Sequence, residues 1–280
     1  MSISRKEEFY LKNKHKGGLN NSKGTTYENF YATYQIALLI NQYISQLKEV
    51  HLSSQLENKF VDDLLIVKPS KHLCYHQIKD VKGLTWKYGK SYPLSFDFTK
   101  QMEVSKEKNE TFHLKLIYSD FNSSVQTIPS NISAYTSTEY FPACDSINQL
   151  ILSYPSFKNA IQNIAIQEQA EEDELSGIAT AILGAWCSVT QKDISLQQIL
   201  NIVYAKGKGF INIKSFPTIE ISDICKKIFT QFKLSFYTNG SILYWSYNNL
   251  KGETIWNNDL EFKLENTTFS NIWDLIESLS

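Results

Sequence analysis

The chain has 280 residues, 42% hydrophobic and 20% charged, enough apolar content to bury a large core and none of the charge excess of a disordered polypeptide. Its longest nearly apolar stretch, Ile178 to Cys187, is much shorter than the roughly 20 residues a spanning helix needs, so no transmembrane segment is expected. The net charge of −1 is unevenly spread: residues 1–116 hold 18 Lys plus Arg against 12 acids and residues 117–280 hold 10 against 17, so contact with a phosphate-bearing partner is expected from the first part.

From Lys12 to Gly24 the chain is rich in Lys, Asn, Gly and Ser and reads as a basic lead-in. Lys23-Gly24-Thr25 reverses the order of a phosphate-binding P-loop, and no strand precedes it. Tyr27, Phe30, Tyr31, Tyr34, Leu38 and Ile44 then recur near a period of 3.6, which predicts a helix from Thr26 to Leu47 with one broad apolar stripe. Two β-rich runs follow, Phe60 to Val67 and Leu73 to Lys79, separated by Lys68-Pro69-Ser70-Lys71, and together they predict a hairpin. A charged helix near Phe96 to Lys108 and a strand at Phe112 to Tyr118 complete the order helix, strand, strand, helix, strand.

Residues 120–145, rich in Ser, Asn, Thr and Pro, read as a connector. Two domains are therefore expected, residues 1–125 and residues 126–280. The second is predicted to hold helices from Ile147 to about Val189, a helix at Leu196 to Tyr204, a strand at Phe210 to Ile213, and a helix at Ser222 to Phe232. Asn239-Gly240 between Leu234–Thr238 and Ser241–Tyr247 is a type I′ hairpin signal. Four cysteines, Cys74, Cys144, Cys187 and Cys225, stand far apart without a CxxC pair and read as reduced thiols. The N-terminus lacks the apolar core of a secretory signal, so a cytoplasmic location is the expectation.

Chemistry concentrates in the first part. Gln77 and Lys79 are two apart on a strand and leave the same face, while Ile78 points to the other. A turn centred between Pro69 and Ser70 places Asp62 opposite Gln77; a five-residue loop shifts the register by one and selects Asp63 instead. Asp62 is the first choice and Asp63 the reserve. A carboxylate, an amide oxygen and a backbone carbonyl are hard ligands of the kind Mg²⁺ takes, and a neighbouring lysine can orient a water and offset phosphate charge. Glu28, on the preceding helix, can hold a second metal or its water.

Gly24-x-x-Tyr27-Glu28 opening a helix, then Val61-Asp62-Asp63-Leu-Leu-Ile, then His76-Gln77-Ile78-Lys79, resembles the PD-(D/E)xK nuclease superfamily in its restriction-endonuclease-like, Mrr-type Q-x-K form. More narrowly it is similar to the double-stranded-DNA endonuclease domain of bacterial antiphage effectors, some activated by cyclic oligonucleotides and some paired with ATPases. The resemblance spans roughly residues 15–120. It implies an α/β fold with a restriction-endonuclease-like mixed sheet flanked by helices, followed by an α+β partner-binding or regulatory domain. It implies Mg²⁺, with Mn²⁺ as a substitute, and double-stranded DNA as substrate. A companion ATPase or self-association is the implied regulator, and the catalytic set is Glu28, Asp62, Gln77 and Lys79. Metal ligands would come from Glu28, Asp62, Asp63, Gln77 and the Ile78 carbonyl. Gln77 stands where most of the superfamily has an acid.

Competing readings exist for each residue. Thr25-x-x-Glu28 is also a capping box, and Asp62-Asp63 can be a solvated strand start. His72, Cys74 and His76 alternate on one strand, but without a fourth ligand at a recognisable spacing they read as structural rather than as a zinc site. The acidic run Glu168 to Glu174 reads as a solvated helix face. Phe236, Tyr237, Tyr244, Trp245 and Tyr247 around the hairpin read as sheet core or protein interface. The rival function is a non-catalytic adaptor whose nuclease-like core binds DNA or a companion ATPase; a ribonuclease on the same core is a third.

Overall fold

The structure, a computed structural model, describes residues 6, 8–11, 22–89, 92–165, 170–206, 221–239, 242–248 and 250–279. The first helix, α1 (Ser22–Gln42), starts earlier and ends earlier than the periodicity predicts. Tyr27, Phe30, Tyr31 and Tyr34 are buried as expected, but so are Ala32, Thr33, Gln35, Ile36, Ala37, Leu39 and Ile40, whereas Leu38 and Ile44 are exposed. Burial on nearly every side marks a central helix rather than an amphipathic surface one.

A six-stranded mixed sheet lies beside α1. Its strands are β1 (His51–Ser54), β2 (Leu64–Lys68), β3 (His72–Lys79), β4 (Phe112–Tyr118), β5 (Thr136–Tyr140) and β6 (Ile194–Ser195), in the spatial order β5-β4-β3-β2-β1-β6. β2 and β3 form the expected antiparallel hairpin. Helix α2 (Leu94–Glu107) connects β3 to the parallel strand β4, since parallel neighbours need a crossover and not a tight turn. β5 extends the sheet in parallel with β4, and β6 pairs antiparallel with β1.

Strand alternation divides the side chains between two cores. Leu64, Ile66, Cys74, Ile78 and Ile117 face the larger one, which α1 shares with α3 (Ile147–Ser153), α4 (Pro155–Ile164), α5 (Glu172–Cys187) and α6 (Leu196–Lys206). Tyr75, Leu114, Leu116 and Tyr118 face the second, under α2 with Phe98 and Met102. Ser146 caps α3 by accepting from the Gln149 N–H at 3.2 Å, and Pro155 opens α4, where its missing donor costs nothing. The acids Glu172, Asp173 and Glu174 occupy the first turn of α5, a favourable place against the helix dipole. Glu172 also pairs with Lys158 at 2.9 Å; Glu168 lies outside the described residues.

The expected division after residue 125 is corrected. β5 and β6 belong to the same sheet as β2 and β3, and one hydrophobic core runs from Tyr27 to Tyr204. A separate cluster begins at Ile221 and ends at Leu279. It comprises α7 (Asp223–Gln231), the antiparallel strands β7 (Ser235–Asn239), β8 (Ile242–Tyr247) and β9 (Leu250–Ile255), and the helices α8 (Asn258–Glu265) and α9 (Ile272–Leu279). This is the α+β unit, much shorter than expected. Phe236, Trp245 and Tyr247 join its core. The strand expected at Phe210 to Ile213 and the turn residue Gly240 lie outside the described residues. All four cysteines are free, and among the described residues no helix is long and apolar enough to cross a membrane.

Candidate active site

The β2–β3 register settles which aspartate meets the Q-x-K strand. The connection Pro69–Lys71 is a three-residue turn, with Ser70 and Lys71 at φ 63° and 58°, and the pairs Lys68↔His72 and Leu64↔His76 follow from it. An odd-numbered turn shifts the register by one residue from the expected two-residue centre. One step beyond Leu64↔His76, Asp63 stands opposite Gln77. Asp63, not Asp62, therefore stands opposite Gln77, and the expected register is corrected.

The contacts agree. One oxygen of Asp63, Oδ2, accepts from the Gln77 side-chain amide, from the Ile78 backbone N–H at 2.7 Å and from Lys79 Nζ at 3.2 Å. Asp62 Oδ1 lies 3.4 Å from the same Gln77 Nε2. Both acids are buried, Asp62 at 4% and Asp63 at 6% exposure, as is Gln77 at 0%. A solvated strand start is thereby excluded. The segment is fixed from both sides: Leu56 N–H donates to the Asp62 carbonyl at 2.8 Å, and Phe60 N–H donates to Oε1 of the buried Gln101 on α2 at 3.1 Å.

Glu28 sits in the second turn of α1, not the first, and Thr25 lies inside the helix, so the capping-box geometry does not arise. Its Oε2 accepts from Gln55 Nε2 at 2.7 Å. Burial, with Asp63 adding repulsion, lifts the Glu28 carboxyl from 4.5 to about 8, although Lys79 and Gln55 pull the other way. Burial alone would lower Lys79, but Asp63, Asp62 and Glu28 together outweigh it and raise the ammonium above its ordinary value. Three carboxyl groups thus act on Lys79. Burial beside Asp63 favours the protonated form of Glu28.

Beside these groups lies a cavity of about 30 Å³ bordered by Glu28, Gln55, Asp63, Trp186 and Gln191, large and polar enough for one water or small ion. Trp186 Nε1 donates to Asn29 Oδ1 at 3.0 Å, and Gln191 Nε2 donates to the Trp186 carbonyl at 3.2 Å. Residues far beyond position 125 therefore share this cavity with Glu28 and Asp63. Sequence reasoning missed Gln55, Trp186 and Gln191, and no motif marks them.

The donor set suits a hard divalent cation. Asp63 and Asp62 offer carboxylate oxygens, Glu28 offers a third once deprotonated, and Gln77 offers Oε1 after a turn of its amide. Ile78 meets the acids through its N–H, which donates to Asp63 Oδ2 at 2.7 Å. Glu28, Asp62 and Asp63 do not all lie within 4.8 Å of one another; among the described residues the trio that does is Cys225, Glu261 and Glu265, whose thiol suits Mg²⁺ poorly.

Because Glu28 holds its proton to about 8 when folded and to 4.5 otherwise, the folded chain binds more protons over that interval, and stability falls as pH rises through it. Melting temperatures of wild type and Glu28→Gln in EDTA, measured from pH 5 to 9, are expected to diverge. Wild type should lose stability towards pH 9 and the variant should lose less; equal slopes would contradict the assignment.

No family model, curated protein or solved structure matches the chain.

Proposed function

We propose that the chain is a metal-dependent deoxyribonuclease with a restriction-endonuclease-like core, hydrolysing phosphodiester bonds of double-stranded DNA. The observation that carries this reading is the buried cluster in which Asp63 gathers Gln77, Ile78 and Lys79 beside the carboxyl groups of Glu28 and Asp62. Bound Mg²⁺ or Mn²⁺ would be held by these carboxylates and would polarise the phosphate. Asp63, with Asp62 beside it, would be the main metal ligand. Lys79, at 27% side-chain exposure and 3.2 Å from Asp63, would hold the attacking water and oppose charge developing on the phosphate oxygens. Glu28, deprotonated once a cation is bound, would accept a proton from water.

The helix-bearing region after residue 145 and the C-terminal α+β unit would serve partner binding, with self-association or a companion ATPase as regulator and bacterial antiphage defence as the setting. The test is incubation of purified protein with supercoiled plasmid and with RNA, in Mg²⁺, Mn²⁺ and EDTA. Metal-dependent nicking of the plasmid is expected. Cleavage of RNA alone would replace the substrate, and cleavage unaffected by EDTA would overturn the reading.

A further inference from the structure

A second cleft opens on the other face of the sheet, away from Gln77 and Lys79 by strand alternation. It has a volume of about 310 Å³, within the range of small-ligand sites. Four adjacent strands line it: Lys68 from β2, His72 from β3, His113 and Lys115 from β4, and Ser137 from β5, with Gln35 of α1 opposite. Lys68 and His72 are direct cross-strand partners, and Lys115 faces Ser137 in the same way. Neighbouring strands are about 4.8 Å apart, so the basic groups are crowded together.

No Asp or Glu is among the lining residues. Glu139 at the margin pairs with Lys115 at 3.0 Å and also accepts from Tyr31 Oη at 3.1 Å; among the described residues Lys68 has no such carboxylate partner. Like charges placed side by side across strands destabilise a sheet. The crowding is also felt by His113, whose imidazole burial and then Lys115, His72 and Lys68 hold below its ordinary value. His113 Nε2 meets Ser137 Oγ at 2.7 Å, which sets the ring at the cleft wall. Gln35, only 7% exposed, adds an amide to the same space.

We propose that this cleft binds a small phosphate-bearing anion of up to mononucleotide size. Lys68 and Lys115 would meet the phosphate as point charges, His72 and His113 would donate ring N–H groups, and Gln35 would select the remainder of the ligand. A concave pocket bounded by a sheet and a helix fits a compact ligand better than a duplex backbone, which needs an open charged track.

The proposal stands apart from the carboxylate site, and its test separates them. Pyrophosphate, AMP and adenosine would be titrated calorimetrically into the full chain in EDTA, with wild type, Asp63→Asn, Lys68→Glu and His72→Ala. Saturable binding of pyrophosphate and AMP is expected, with adenosine silent and Asp63→Asn unchanged. Lys68→Glu should weaken AMP by on the order of tenfold or more, the worth of one charge-assisted hydrogen bond. His72→Ala, which introduces no new charge, should weaken it too, and circular dichroism and melting would verify that both variants fold. Absence of saturable binding up to millimolar ligand, affinity unchanged in both folded variants, or binding of a short duplex in place of pyrophosphate and AMP would each overturn the proposal.

Discussion

Replacing Lys79 with Met is expected to slow metal-dependent plasmid nicking by roughly a hundredfold or more, the usual contribution of a positioned proton-handling or charge-stabilising group. Methionine keeps most of the aliphatic stem, so the loss reports charge rather than packing. The same change should not weaken divalent-cation binding. Lys79 faces Glu28, Asp62 and Asp63, and removing its charge leaves the acids more negative. A variant that binds Mn²⁺ at least as tightly as wild type yet barely cleaves is the expected signature. Cleavage within a few-fold of wild type would remove Lys79 from the chemistry.

Asp63→Asn is expected to be as damaging by another route. The amide retains an oxygen for the Ile78 N–H, now received by Asp63 Oδ2 at 2.7 Å, so the fold should survive. The charge that anchors both Lys79 and the cation is lost, and cleavage should fall by about two to three orders of magnitude. Asp62→Asn should cost less, because Asp63 is the acid that gathers the Ile78 N–H and Lys79. Rates for the two variants at equal protein concentration decide the matter; a greater loss from Asp62→Asn would make Asp62 the main metal ligand.

The Gln77-Ile78-Lys79 strand and the limits of β4 were legible because alternation and β-branched content are local properties. The choice between Asp62 and Asp63 was not. It depends on whether the turn after Lys68 holds an even or an odd number of residues, and Pro69-Ser70-Lys71 closes it with two left-handed residues, Ser70 and Lys71, that no composition rule demands. Glu28 was found through a pattern that also reads as a cap, and only the helix start at Ser22 removes that alternative.

The domain boundary was misread for a related reason. Thr136-Ser-Thr-Glu-Tyr140 has the composition of a linker, yet β5 pairs in parallel with β4, a contact formed between segments distant in sequence. Likewise Trp186 and Tyr204 sit on apolar helix faces whose covering surface is not written in their own segment, and both belong to the core that holds Tyr27 and Tyr31. Gln55 reaches Glu28 only because the backbone N–H of Gln55 is tied to the Asp63 carbonyl at 3.3 Å. Such proximity follows from folding and leaves no spacing to read.

The most direct measurement of the central claim is a calorimetric Mn²⁺ titration of wild type and Asp63→Asn, with melting temperatures recorded in parallel. A cation at a hundred times its dissociation constant adds about 2.7 kcal/mol of stability, roughly 5–10 °C for a domain near 200 residues. Saturable binding with that order of stabilisation in wild type, and neither in Asp63→Asn, is the predicted result. Equal binding by the two proteins, or none by wild type, would contradict a metal centre at Asp63.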